Sequence, residues 1–229
     1  MIPSLFRTAV VTIVTAIAVG PLAPLAFAQT EQQQLVNAAD AALTNFLRDP
    51  DMGWFQQNVG RAKGVLIAPE LVKAGFIFGG SGGRAVLLAK DPKSGRWAGP
   101  AFYALATASV GFQAGISVSE SITLVMTDRG MNSLLSPSFK IGGDASVAAG
   151  PVGAGARSDI VADLITFSRS KGIYGGLNLD GTLVNTSDDW NEDYYGKKVL
   201  STDILVRMSV QQAGADKLIA NITAAAAAK

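Results

Sequence analysis

The densest chemical information lies in Phe167–Gly181, read as F-S-R-S-K-G-I-Y-G-G-L-N-L-D-G. Arg169 and Lys171 fall two apart and directly precede Gly172. A basic pair at that spacing can face an anion through charge-assisted hydrogen bonds, or can simply be solvated. Ile173, Gly175, Leu177 and Leu179 then recur at the period of a strand. Asp180-Gly181 is a hairpin signal, because Gly accepts positive φ without a steric penalty. Thr182, Leu183 and Val184 resume in strand-like composition. The local expectation is a short antiparallel hairpin with a basic entrance.

Two further clusters resemble chemistry. Gly79-Gly80-Ser81-Gly82-Gly83 matches G-x-S-x-G, and Gly80–Ala85 matches G-x-G-x-x-A. The first pattern needs a base for its Ser. The second needs a following helix and an acidic residue about 20 positions on. Neither requirement is met, so the loop reads as a flexible hairpin tip, or as backbone N–H groups open to an anion. Asp188, Asp189, Glu192 and Asp193 cluster beside Trp190, Tyr194 and Tyr195. Carboxylates bind calcium, but the alternation and Gly of an EF-hand loop are missing. A capped, solvated helix turn is the default, with calcium or paired-carboxylate chemistry as the sharper alternative.

Composition narrows the field. The chain has no His and no Cys. That excludes a Ser-His-Asp hydrolase, thiol catalysis, His- or thiolate-ligated metal and a lipidated N-terminal Cys. No enzyme, catalytic residue, metal or cofactor is expected. Formal net charge is +1, which argues against a nucleic-acid partner. The 229 residues are 48% hydrophobic, enough for one domain with a real core.

The elements that must position these residues follow a simple order. Arg7, the apolar run Ala9–Val19 and Ala26-Phe27-Ala28 read as a secretory signal peptide over 1–28. Cleavage near Ala28 would leave a periplasmic or secreted chain over 29–229 as a single domain. Removing Arg7 takes the 19 basic residues to 18, equal to the 18 acidic ones. Leu35–Leu47 is an amphipathic helix without a basic face, so core packing is expected over membrane insertion. Short apolar runs between turns, from Val65 to Met126, predict strands in hairpin order with no helical crossover. Thr127-Asp128 should cap a short helix through Leu135, Ser187-Asp188 another, and a last helix falls within 212–227. The fold class is α+β: an antiparallel sheet, open or barrel-like, with flanking helices.

Taken in order, the glycine-rich pieces resemble the SYLF domain family. The matching stretches are A-K-G-V-L-I-A at 62–68, K-A-G-F-I-F-G-G-S-G-G-R at 73–84, G-F-Q-A-G at 111–115, G-G-D-A-S-V-A-A-G-P-V-G at 142–153 and the stretch at 168–181. They span roughly 60–200. The resemblance implies a non-enzymatic lipid-binding domain, since eukaryotic members bind phosphoinositides and some bind actin. For an exported chain the implied partner is a phospholipid or membrane surface, peripherally bound, with another envelope protein as the alternative and actin a poor fit. Headgroup contact is assigned on this basis to Lys73, Arg84, Arg169 and Lys171. Gly172, Gly175, Gly176, Asp180 and Gly181 are the structural signature that lets the stretch pack and turn.

Overall fold

The computed structural model describes residues 29–75, 78–110, 115–153, 160–170, 173–174, 179 and 181–228. The leader expected at 1–28 lies outside them, as do Lys171, Gly172, Gly175, Gly176 and Asp180 of the signature stretch. Four long strands dominate: β1 (Gly64–Gly75), β2 (Phe78–Lys90), β3 (Trp97–Val110) and β4 (Gly115–Val125). Shorter strands follow: β5 (Ser138–Lys140), β6 (Val147–Ala149), β7 (Leu164–Ser170), β8 (Ile173–Tyr174) and β9 (Leu183–Thr186). They form one curled, mostly antiparallel sheet in the order β5-β9-β3-β2-β1-β4-β7-β6, with β8 paired to β7. The central order β4-β1-β2-β3 is a Greek key.

Among the described residues six helices flank it: α1 (Glu31–Arg48), α2 (Gly53–Asn58), α3 (Asp128–Leu135), α4 (Asp188–Tyr195), α5 (Ser201–Leu205) and α6 (Asp216–Ala227). Thr30 and Thr127 cap α1 and α3 by accepting from backbone N–H groups. α1 buries Val36, Ala39, Leu43 and Phe46, so its apolar face is core. Its Asp40 is buried, pairs with Lys217 at 2.8 Å and accepts from Asn221, which locks α1 to α6.

The sheet is apolar on both faces at one end. One face carries Val65, Ile67, Val86, Leu88, Phe102, Ile122, Leu124, Ile165 and Phe167 against α1, α2, α4 and α6. The other carries Leu66, Ala68, Leu71, Ala85, Leu87, Tyr103 and Val125 against α3, β5 and α5. Pro69 sits in the middle of β1, a strand paired on both sides, and has no N–H to give the ladder. A bulge solves this: the register slips between Ile67 and Glu70 against β2, and between Ala68 and Leu71 against β4. The runs on either side of Pro69 are therefore one strand. The slip also reverses the parity, so that Glu70 and Val72 follow Ile67 on the α1 face.

Two expectations are corrected here. Gly79–Gly83 is not a hairpin tip. Those residues lie inside β2 with partners on both β1 and β3. Close packing is the reason for glycine: a Cβ at Gly83 would stand 2.2 Å from the Glu70 carbonyl oxygen at the bulge. The second correction concerns Asp180-Gly181. Thr182 N–H donates to Leu179 O at 2.9 Å and Gly181 stands at φ +81°, with Asp180 outside the described residues. Among the described residues, this stretch joins no two strands that pair with each other. β8 pairs back onto β7, and β9 pairs with β3 and β5.

Asp163 ties three elements together. Its carboxylate accepts from Thr127 Oγ1, the α3 cap, and from Ser146 N–H at 2.9 Å and Ser146 Oγ at 2.8 Å. Its carbonyl accepts from Met126 N–H at 2.8 Å. The hydrogen bond from Thr127, then those from Ser146, hold its carboxyl below the ordinary range. Two predictions follow from this packing. Gly83→Ala should destabilise by about 2–3 kcal/mol in denaturant melts, through overpacking at the bulge. Asp163→Asn should cost about 2 kcal/mol at neutral pH. The folded pKa is depressed, so the stabilisation exists above the unfolded value and is lost as pH falls through the folded one. The gap between wild type and variant should thus close below about pH 4.

Candidate membrane-facing site

Residues beyond the bulge reach past the helices. Val72 pairs with Val118 and Gly82, Ala74 with Ile116 and Gly80, and the two glycines with Ala106 and Ala108. Cross-strand partners share a face. All of these lie on the α1 face, where none of the described helices covers them. Val72 is 38%, Val118 43% and Ile116 74% exposed. Ala74, Ala106 and Ala108 are exposed as well. The result is a smooth apolar face across four strands, built from side chains no larger than Ile. Contiguous exposed apolar surface of this kind marks an interaction site. The β1–β2 connection, Phe76-Ile77, lies outside the described residues.

A charged row separates this face from the covered core. Glu70 pairs with Arg84, and Glu120 with Arg169, on β1, β2, β4 and β7. Arg169 donates to Glu120 at 2.7 Å and lies over the Phe46 ring of α1 at 5.7 Å. The Arg84 guanidinium stacks on Trp190 of α4, 3.8 Å from the ring centroid, and donates to Ser187 Oγ at 3.3 Å. Trp190 in turn packs on Phe102 at 5.9 Å. Both arginines fasten the helix layer to the sheet through cation–π contacts. Two cations and two carboxylates make the row formally neutral.

Of the four cations assigned from sequence, Arg84 and Arg169 come together on this row. Lys73 does not join them. It pairs with Ser81 and Ser117 and faces the opposite, α5 side, half-buried, in a row continued by Thr107. Lys171 lies outside the described residues. Next to Lys73 runs a ladder of hydroxyls, Ser119 opposite Ser170, Ser121 opposite Ser168 and Thr123 opposite Thr166. Thr123 and Thr166 bond each other at 2.8 Å. No three His, Cys, Asp or Glu side chains, those of α4 included, converge on one point among the described residues. Asp193 instead accepts from Gln32 of α1 at 3.1 Å.

Sequence reasoning missed Val72, Ile116 and Val118. The signal was present in Ile116-Ser117-Val118-Ser119, a two-residue alternation with hydroxyls on one parity and aliphatics on the other. It could not say that the aliphatic parity is the one left uncovered.

Comparison with known proteins gives the lineage. The family model Ysc84, described as Las17-binding protein actin regulator, matches residues 106–225. SH3 domain-containing YSC84-like protein 1 of Rattus norvegicus is 28% identical over 165 residues, 70% of this chain and 48% of that protein. LAS seventeen-binding protein 3 of Saccharomyces cerevisiae is 32% identical over 152 residues, 63% of this chain and 33% of that protein. The chain therefore spans about half the length, or less, of the curated relatives it matches. The family model covers more than half of the chain, residues 106–225, and the chain belongs to the SYLF (Ysc84) family.

Proposed function

We propose that this chain is a non-enzymatic phospholipid-binding protein of the cell envelope, exported through its leader and docked peripherally on a bilayer. The observation that carries the reading is the uncovered apolar end of the sheet, Val72, Ala74, Ile116 and Val118, bounded by the row Arg84-Glu70-Glu120-Arg169. Successive rows on one face of a strand lie about 6–7 Å apart. With the charged row at headgroup depth, the Ala74–Ile116 row sits about 13 Å deeper, at the acyl boundary. Burying side chains of this size contributes roughly 25 cal/mol per Å² of apolar surface.

The charged row sets the headgroup preference. Arg169 is ion-paired with Glu120, Arg84 is engaged by Trp190 and Ser187, and the row is formally neutral, so it holds no excess positive charge to attract an anionic surface. A zwitterionic headgroup, with a phosphate for Arg and an ammonium for Glu, matches a row that carries both signs, carboxylates at its centre and arginines at its ends. Docking is thus driven by apolar burial, with little dependence on salt or on anionic lipid.

A second reading has support in the relatives. The family description and the yeast protein's name both refer to binding of a protein, Las17. The same apolar face could take an envelope protein in place of lipid. Export would keep the chain from actin.

Co-sedimentation of the purified chain with phosphatidylethanolamine/phosphatidylcholine vesicles tests the lipid reading. Wild type should bind, and should bind vesicles containing phosphatidylglycerol within about three-fold of the same strength at 0.15 M salt. Ile116→Glu with Val118→Glu should reduce binding at least about ten-fold, since charge must be desolvated at the inserted face, while the thermal melt stays unchanged. Failure of the wild-type chain to bind any of these vesicles would leave the protein-docking reading in its place.

A further inference from the structure

The opposite end of the same strands carries a second feature, independent of the bilayer face. A groove of about 540 Å³ lies between the β2–β3 turn at 91–96, α3 and the bend that follows α5. Lys63 is nine residues before Val72, about 30 Å away along an extended strand. The volume falls in the range of small-molecule sites, roughly 300–1,000 Å³.

Five cations line the groove: Lys63, Lys90, Lys93, Arg96 and Arg207. Only two carboxylates do, Asp91 and Asp128. The excess is notable in a chain whose total formal charge is +1. Asp91 is engaged by its own turn, accepting from Lys93 N–H at 3.1 Å and from Ser94 N–H at 3.2 Å. Asp128 faces Lys63 at 2.9 Å. Lys90 donates to the Gly60 carbonyl at 2.9 Å, and Arg207 pairs with Asp203. That leaves Lys93 and Arg96, exposed on the turn at the rim. Lys93 has no side-chain ion pair or hydrogen bond among the described residues, and Arg96 reaches only Ser94 Oγ at 3.4 Å.

The remaining wall is apolar. Met131, Leu135, Leu205, Val206 and Met208 line it, and Val206 is 59% exposed. Met208 is the one non-glycine residue with positive φ among the described residues, at 51°. Such a conformation is held only where the surroundings over-determine it. Here Arg207 N–H donates to Thr202 O and Ser209 N–H to Asp203 O, both at 3.0 Å, which fixes the bend onto the end of α5. Met208 also lines an adjoining cavity of about 160 Å³ together with Arg96. The groove is thus cationic at its rim, apolar within, and preformed.

We propose that this groove binds a single anionic amphiphile, a phosphate-bearing headgroup held by Lys93 and Arg96 with its apolar tail against Met131, Leu205, Val206 and Met208. The shared chemistry is a phosphate monoester, which a free phosphate or a lipid headgroup can supply. Calorimetric titration of the full chain distinguishes the sources, using monomeric dioctanoyl phosphatidic acid, inorganic phosphate and dioctanoylglycerol as probes without vesicles. Phosphatidic acid should bind with one site per chain, and the other two probes at least ten-fold more weakly. Lys93→Glu/Arg96→Glu should weaken phosphatidic acid at least ten-fold, and Val206→Asp should weaken it as well. All three positions are exposed, so the folded state should survive. Ile116→Glu at the far end should change nothing, which separates this site from vesicle docking. No binding by wild type overturns the proposal, as does binding indifferent to Lys93 and Arg96, or inorganic phosphate binding as tightly as the amphiphile.

Discussion

A long antiparallel sheet with two apolar faces must be covered twice, and the described residues cover only one end of it on the α1 side. The strands β1–β4 run 11 to 14 residues. At the Gly64–Leu71 end, helices close one face and α3, α5, β5 and β9 close the other. Beyond the bulge at Pro69 none of the described helices continues on the α1 side. The bulge matters twice: it accommodates a proline in a central strand, and its parity switch puts Val72 and Ala74 on the face without a cover. Asp163, Asp40 and the two stacked arginines then hold the covers to the sheet. Few of these contacts serve the apolar end directly. They serve the half that makes the other half possible.

Glycine usage follows from the same constraint. Gly83 has no room for a Cβ beside the bulged Glu70 carbonyl, and Gly150 none beside the Phe167 ring, where a Cβ would stand 2.2 Å from ring carbons. These residues are close-contact positions, and they explain why a sequence rich in Gly reads locally as loops. Where Gly79–Gly83 looked like a tip, the period-2 signal had been erased by the absence of side chains. The long-range partners, Glu70 O and Thr107 O, supply the reason for glycine, and neither is visible locally.

Much of the framework was nevertheless legible. Thr127 and Ser187 marked helix starts correctly, although Ser187 uses its hydroxyl to accept from Arg84 and makes no side-chain cap. The amphipathic pattern of Leu35–Leu47 was core, as the lack of a basic face suggested. Absence of His and Cys removed most neutral-pH catalysis before any fold was known. What stayed hidden was partnership across the chain. Arg84 and Trp190 are 106 positions apart, and only the sheet order brings them to 3.8 Å. The same topology sent Lys73 to the opposite face from Arg84 and Arg169, a split that depends on the one-residue slip at Pro69. The cationic groove at the other end was equally invisible, since its wall comes from four separated segments, at 63, 89–96, 128–135 and 205–208.

The central claim is that the uncovered sheet end enters a bilayer. The chain has no cysteine, so one spin label can be placed at a chosen site by Ile116→Cys, with Val161→Cys, 98% exposed in the water-facing loop before β7, as reference. Electron paramagnetic resonance accessibility should be read on vesicle-bound protein. The label at 116 should lose contact with a water-soluble nickel relaxant and gain contact with oxygen, while the label at 161 stays in water. A label at 116 that remains as open to nickel as the one at 161, on protein demonstrably bound to vesicles, would contradict the placement.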